Sequence, residues 1–478
     1  MRNVSVPRIV VSGLKGGSGK TVLTLALITS LRKKGLRITP FKKGPDYIDA
    51  GWLAKAAGAS CYNLDLFMMS AQQALQSFLS HSMDTDLAII EGNRGLYDGM
   101  DHRGTYSTAE LAKLLKSRVV IIVDCTKTTN TIAAMVLGCQ KMDPQVSIGG
   151  VVLNRVATSR QESVIRKAVN ERCSVPVLGA IPRLKKDPFP ERHMGLTPFQ
   201  EHAGIEESIA AVAEIGSHYL DLEVIVNVAE NAEKINASDT EQPASSGVRR
   251  PMNKGPRIGV IRDSAFQFYY EENFEELEKR GAELVEVSPL REDTLPEIDA
   301  LYIGGGFPET HAIALANNVR FRDSLSHAIE DGLPVYAECG GLMYLGKTLI
   351  INDKAYPMAG VLPIVFGMQK KPLAHGYAIL EVVRENPYFE QGNAYKGHEF
   401  HYSKVLEIDQ DEPWFAFGVK RGRGIVDNKD GICYKNVLAS YTHLHAIGSP
   451  AWADGMVRCA GKYRNTRDPA TGTVRRKC

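Results

Sequence analysis

The sequence of 478 residues lacks any apolar run of the ~18 residues that a membrane-crossing helix needs. A secretory pattern is missing as well, since Ile9-Val10-Val11 falls far short of an h-region of roughly 7–15 residues. The 8 cysteines are scattered, with no CxxC pair and no Cys/His spacing of the zinc kind. These absences argue against a membrane protein, a disulfide scaffold and a structural zinc site, and a reducing, cytoplasmic setting is expected. An excess of one charge is lacking too. With 57 basic and 55 acidic side chains the net charge is +2, which gives no reason to expect nucleic acid as a partner. What is present is an ordinary globular composition, 44% hydrophobic and 23% charged, in a chain long enough for more than one domain.

Strand-like Val/Ile-rich segments at 8–12, 37–41, 87–91, 119–124, 148–153 and 175–181 alternate with helical stretches. Their apolar residues are consecutive, the pattern of parallel strands buried on both faces, and the spacing predicts a doubly wound α/β domain over residues 1–230. A helix over 204–220 closes it in this reading. Residues 231–256 are polar and read as a linker. A strand–helix rhythm then restarts and predicts a second α/β domain over 257–450. The tail, 451–478, is basic and reads as turn-rich.

Leu14-Lys15-Gly16-Gly17-Ser18-Gly19-Lys20-Thr21 stands between a predicted strand and a predicted helix. In that context glycines such as Gly17 and Gly19 let backbone N–H groups approach phosphate oxygens. Lys20 reaches the β/γ-phosphates, and Thr21 can hold Mg²⁺. Leu14 replaces the first glycine of the strict pattern. Lys15 matches the signature lysine of MinD-like ATPases, a residue that reaches a nucleotide in a partner subunit, and so implies a homodimer. A phosphate cradle needs acids at neighbouring strand ends. Asp46 and Glu91 occupy such positions, and Asp49 and Asp98 stand close by in sequence. These four are expected to converge on Mg²⁺ and an incoming substrate. Tyr47 and Ile48, between two of the acids, are expected to touch that substrate. Asn154, at a later strand end, is placed to read an adenine.

In the second domain Val335-Tyr336-Ala337-Glu338-Cys339-Gly340-Gly341 has the form of strand, sharp turn and helix. A nucleophile elbow of this kind exposes its side chain at a helix N-terminus, where a thiolate is stabilised. Gly305 and Gly306, after another strand, together with Gly340, offer backbone N–H groups for an oxyanion hole. Tyr441-Thr442-His443-Leu444-His445 offers a base, either His443 or His445. His398 and His401 form a further polar segment.

Read in order, GPDYID (44–49), EGNRGLYDG (91–99), GGGFPE (304–309), AECGG (337–341), GHEFHYS (397–403) and ASYTHLH (439–445) resemble the cobyrinate a,c-diamide synthase family. Its members are glutamine-dependent ATP ligases of tetrapyrrole biosynthesis. The resemblance implies a P-loop NTPase-like first domain that uses ATP and Mg²⁺, with Asp46 and Glu91 matching the metal and catalytic acids. It implies a class I glutamine amidotransferase-like second domain, with Cys339 as nucleophile and His443 as base. Ordinary class I enzymes carry a Glu two positions after that histidine, where this chain has His445. Asn93, Arg94 and Lys15 also depart from the usual pattern. The implied partners are L-glutamine, ATP and a tetrapyrrole, cobyrinate first, with sirohaem or nickel-sirohydrochlorin as alternatives. A MinD-like regulatory ATPase would need neither the elbow nor a second domain.

Overall fold

The computed structural model describes residues 3–184, 191–192, 195–202, 204–236, 255–410 and 412–467. The chain divides into two compact units, Met1–Pro243 and Ala244–Cys478. No described helix is long and apolar enough to cross a membrane.

The first unit is built on a seven-stranded sheet. From edge to edge its strands are Tyr62–Leu64, Ile38–Lys43, Leu87–Gly95, Arg8–Gly13, Arg118–Asp124, Ile148–Val156 and Val177–Pro182. Every neighbouring pair is parallel. Along Ile9-Val10-Val11 successive side chains point to opposite faces, yet all three are buried. Val10 joins one apolar layer, with Phe78, Ile132 and Ile165, while Ile9 and Val11 join the other, with Leu27, Trp52 and Val212. Helices on both faces therefore require continuous apolar strands, as the sequence pattern indicated.

Two sequence expectations change here. The helix Ile205–Tyr219 does not close the unit, because the helix Leu222–Glu230 follows it. Within the stretch read as linker, Ile235–Asn236 pairs antiparallel with Asn3–Val4, and Ile235 is buried. The buried guanidinium of Arg8 gathers this corner by donating to the carbonyls of Val6, Leu115, Lys116 and Glu233. Residues 237–254 of that stretch lie outside the described residues.

The second unit carries a ten-stranded mixed sheet. Its order is Glu283–Val287, Arg257–Ile261, Ala300–Ile303, Val335–Glu338, Val437–Ser440, Lys429–Tyr434, Phe415–Arg421, Ala374–Val382, Ala394–His401 and His443–Leu444. The first five strands are parallel and the rest antiparallel. The tail departs from its turn-rich reading: Pro450–Arg467 is a helix. Trp452 and Met456 are fully buried in it, and the Trp452 ring meets Tyr302 at 5.0 Å. A Cβ on Gly455 would come within 2.5 Å of the Tyr388 carbonyl, so the helix needs glycine to approach that closely. Residues 468–478 lie outside the described residues.

Candidate active sites

In the first unit the glycine-rich turn connects the central strand Arg8–Gly13 to the helix Lys20–Lys33. Gly17 and Gly19 have φ of 69° and 95°, a region that side-chain-bearing residues avoid, so the turn depends on them. Lys20 is buried and its Nζ donates to the Lys15 carbonyl at 3.4 Å, folding over the turn. Burial, then the nearby Lys42, lowers its ammonium below the usual lysine range. The Lys15 side chain is exposed. Asn154 was expected to face a base. Its Nδ2 donates to the Ser18 carbonyl at 2.9 Å and its Oδ1 accepts from Arg155 N at 2.9 Å, so it braces the turn. Gly19 permits that approach, since a Cβ there would lie 2.4 Å from Asn154 Nδ2.

The predicted acids gather around a lysine that the sequence reading overlooked. Lys42 Nζ lies 2.5 Å from Glu91 Oε1, 2.6 Å from Asp49 Oδ2 and 4.0 Å from Asp46 Oδ2. Thr21 Oγ1 donates toward the same pair, at 3.1 Å to Glu91 and 3.4 Å to Asp49. Asp46 also caps the helix Tyr47–Ala57 by accepting from Asp49 N at 2.9 Å, which places Tyr47 and Ile48 in the first turn, both half-buried. Asp98 accepts from Gly95 N at 2.9 Å and is among the charges that act on Lys20.

Three carboxylates thus share one ammonium. Burial opposes the charge on Lys42, but Asp49 and Glu91 outweigh it and hold the lysine well above its usual range. Burial pushes Glu91 up to about 7, and burial with the Asp49 charge pushes Asp46 up to about 6. Glu91 Oε2 is buried with no hydrogen-bond partner among the described residues. Such an orphaned oxygen beside a phosphate-binding turn fits a cation. No cluster of three or more His, Cys, Asp or Glu among the described residues is arranged to hold a metal by itself.

In the second unit Cys339 sits at φ 47°, ψ −97° between the strand Val335–Glu338 and the helix Gly340–Leu345. This is the sharp turn of a nucleophile elbow, held although cysteine disfavours it. Gly340 packs on the other glycine segment: a Cβ there would lie 2.9 Å from Gly306 N. A Cβ on Gly305 would lie 2.5 Å from His443 Cε1 and 3.3 Å from Nε2. The structure therefore brings Cys339, Gly340, Gly305, Gly306 and His443 together. Gly305–Gly306 is a short strand laddered against Phe266–Phe268 rather than an open loop.

The thiol departs from expectation. It is 6% exposed, donates to the Phe400 carbonyl at 3.6 Å, and is pushed above the usual cysteine range by burial and then by Glu309. A six-residue helix does not offset that desolvation, so the resting group is the protonated thiol. His445 is fully buried against Glu272, its Nε2 3.5 Å from Oε1.

Residues 9–196 match the CobQ/CobB/MinD/ParA nucleotide binding domain, and residues 257–451 match the CobB/CobQ-like glutamine amidotransferase domain. The fold class is thus a P-loop NTPase-like α/β unit joined in one chain to a class I glutamine amidotransferase-like α/β unit. Three curated proteins named cobyrinate a,c-diamide synthase are similar over almost the whole chain. The one from Magnetococcus marinus is 41% identical, covering 95% of this chain and 97% of its own. Those from Methanothermobacter thermautotrophicus and Archaeoglobus fulgidus are 40% and 38% identical, covering 95% and 96% of this chain and 100% and 99% of their own. The chain belongs to the cobyrinate a,c-diamide synthase family.

Proposed function

We propose that the protein uses ATP and glutamine to convert the a and c acetate carboxylates of cobyrinate to amides. The observation that carries the reading is the elbow itself: a strained Cys339 beside His443 and three glycines, in a chain that also holds a phosphate-binding turn ringed by acids. His443 takes the thiol proton, and Cys339 sulfur attacks the carboxamide carbon of glutamine. Backbone N–H groups of Gly305, Gly306 and Gly340 are the candidates to steady the oxyanion. The C–N bond breaks, ammonia leaves with a proton from His443, and water hydrolyses the thioester to glutamate.

At the other site Lys20 and the turn hold the phosphates while a substrate acetate attacks the γ-phosphorus, releasing ADP and leaving an acyl phosphate. Thr21, Asp46 and Glu91 would hold Mg²⁺, which supplies neutralisation of phosphate charge when bound. Tyr47, Ile48, Asp49 and Asp98 line the approach of the acetate in this reading. Ammonia then displaces phosphate to give the amide. Acyl phosphate and ammonia both need shelter from water.

The test is a product assay with ATP and glutamine against cobyrinate, sirohaem and nickel-sirohydrochlorin in parallel. Diamide from cobyrinate is expected. Turnover confined to either other tetrapyrrole would replace the substrate, and inactivity of the folded protein on all three would overturn the reaction.

A further inference from the structure

An imidazole that takes a proton at Nε2 works best when a carboxylate accepts from Nδ1–H, because this fixes the tautomer and stabilises the imidazolium. Among its described residues the second unit contains two buried histidine–carboxylate pairs. His445 faces Glu272 in the interior, its ring 4.6 Å from Tyr270. His443 faces Glu338: Nδ1 lies 3.4 Å from Oε2, with the side chains 2% and 1% exposed. Only the His443 ring has its Nε2 edge against Gly305 and hence the elbow.

We propose that Glu338 is the positioning acid for His443, so that the residue immediately before the nucleophile orients the base. This rests on the amidotransferase reading above. Glu338 is held from both sides: Oε1 accepts from Leu444 N at 3.0 Å and Oε2 from the Tyr302 hydroxyl at 3.2 Å. The nucleophile is pinned to the strand Val437–Ser440, which ends three residues before the base, since Cys339 N donates to the Ser440 carbonyl at 2.8 Å. One strand end therefore sets nucleophile and acid in register with the segment that carries the base. Other ionisable groups around His443 include the His398 ring, stacked on it at 4.8 Å, His401, which feels its charge, and Tyr302 beside Glu338. His398 is in turn bonded to Tyr270 at 3.1 Å. Among these, Glu338 supplies the negative charge that an imidazolium needs.

Glu338→Gln keeps the size and an acceptor for Leu444 N but removes the charge. It is expected to lower glutaminase kcat by roughly 100-fold or more with KM for glutamine little changed. Glu338→Asp, which keeps the charge at a longer reach, should recover part of kcat. A folded Glu338→Gln with normal kcat would overturn the proposal, as would a loss confined to KM and thermal stability. If Glu338→Gln does not fold, Glu338→Asp decides: normal kcat would overturn the proposal and reduced kcat would support it. Cys339→Ala, assayed alongside, separates the two readings, since residual glutaminase there would remove the amidotransferase assignment itself.

Discussion

The ammonium of Lys42 lies 2.5 Å from Oε1 of Glu91, and the two residues are register partners on adjacent parallel strands. Both side chains are almost wholly buried, at 2% and 0% exposed. Lys42→Met would leave Asp49 and the buried Glu91 without their nearest cation. Removing one partner of a buried pair costs about 3–5 kcal/mol. The variant should therefore lower the unfolding midpoint and lose ATP-dependent amidation. An unchanged denaturation curve would mean that water, not Lys42, balances these acids.

The protonated state of Cys339 sharpens what His443 must do. Since burial keeps the proton on the thiol, the sulfur is a poor nucleophile without its base. His443→Ala should lose glutamine-dependent amidation almost as completely as Cys339→Ala. Both should keep amidation driven by ammonium salt at alkaline pH, because free ammonia bypasses the glutaminase. His445→Ala is expected to act through stability instead, as its ring is fully buried against Glu272. Glutamine-driven rates that fall more in His445→Ala than in His443→Ala, with both proteins folded, would exchange the two roles.

Tyr47 opens the helix that Asp46 caps, next to the acid cluster. Tyr47→Ala should change the ratio of monoamide to diamide, or of a to c product, more than it changes ATP affinity. Chromatography of the products beside an ATP-binding titration checks this. A change in ATP affinity alone would place the residue away from the acetate.

His401 stacks on Tyr441 with ring centroids 3.7 Å apart and donates from Nδ1 to the Ser403 carbonyl at 2.8 Å. Burial pushes it down to about 4 from an unfolded value near 6.5. The neutral ring is the folded form, so the unfolded chain binds the extra proton as pH falls between those values. Stability is lost across that window, by at most about 1.4 kcal/mol per pH unit for one group. His401→Phe should be flatter than the parent in denaturant stability from pH 6.5 to 4. Parallel curves for the two proteins would remove His401 as the cause.

The phosphate turn was legible because its chemistry is local: Gly17, Gly19, Lys20 and Thr21 sit within five residues between a strand and a helix. The elbow was legible for the same reason. Lys42 went unread although its signal was present, a strand residue four before Asp46, because only the strand register reveals Glu91 beside it. Glu338 and His443 are 105 residues apart in sequence and meet through the antiparallel wing, which periodicity does not specify. Asn154 shows what a strand-end amide does not reveal by itself: the missing side chain of Gly19 makes room for it against the turn. The tail helix went unread, and the close packing of Gly455 on Tyr388 within it shows only in the fold.

In the proposed reaction nitrogen passes from glutamine, by way of Cys339, to an acetate activated by ATP. The most direct measurement supplies glutamine labelled with ¹⁵N at the carboxamide, ATP, Mg²⁺ and cobyrinate, with unlabelled ammonium present at trace level. The account predicts cobyrinate a,c-diamide carrying two ¹⁵N atoms, with one ATP converted to ADP and phosphate for each amide formed. Diamide without the label, or labelled diamide formed without ATP hydrolysis, would contradict it.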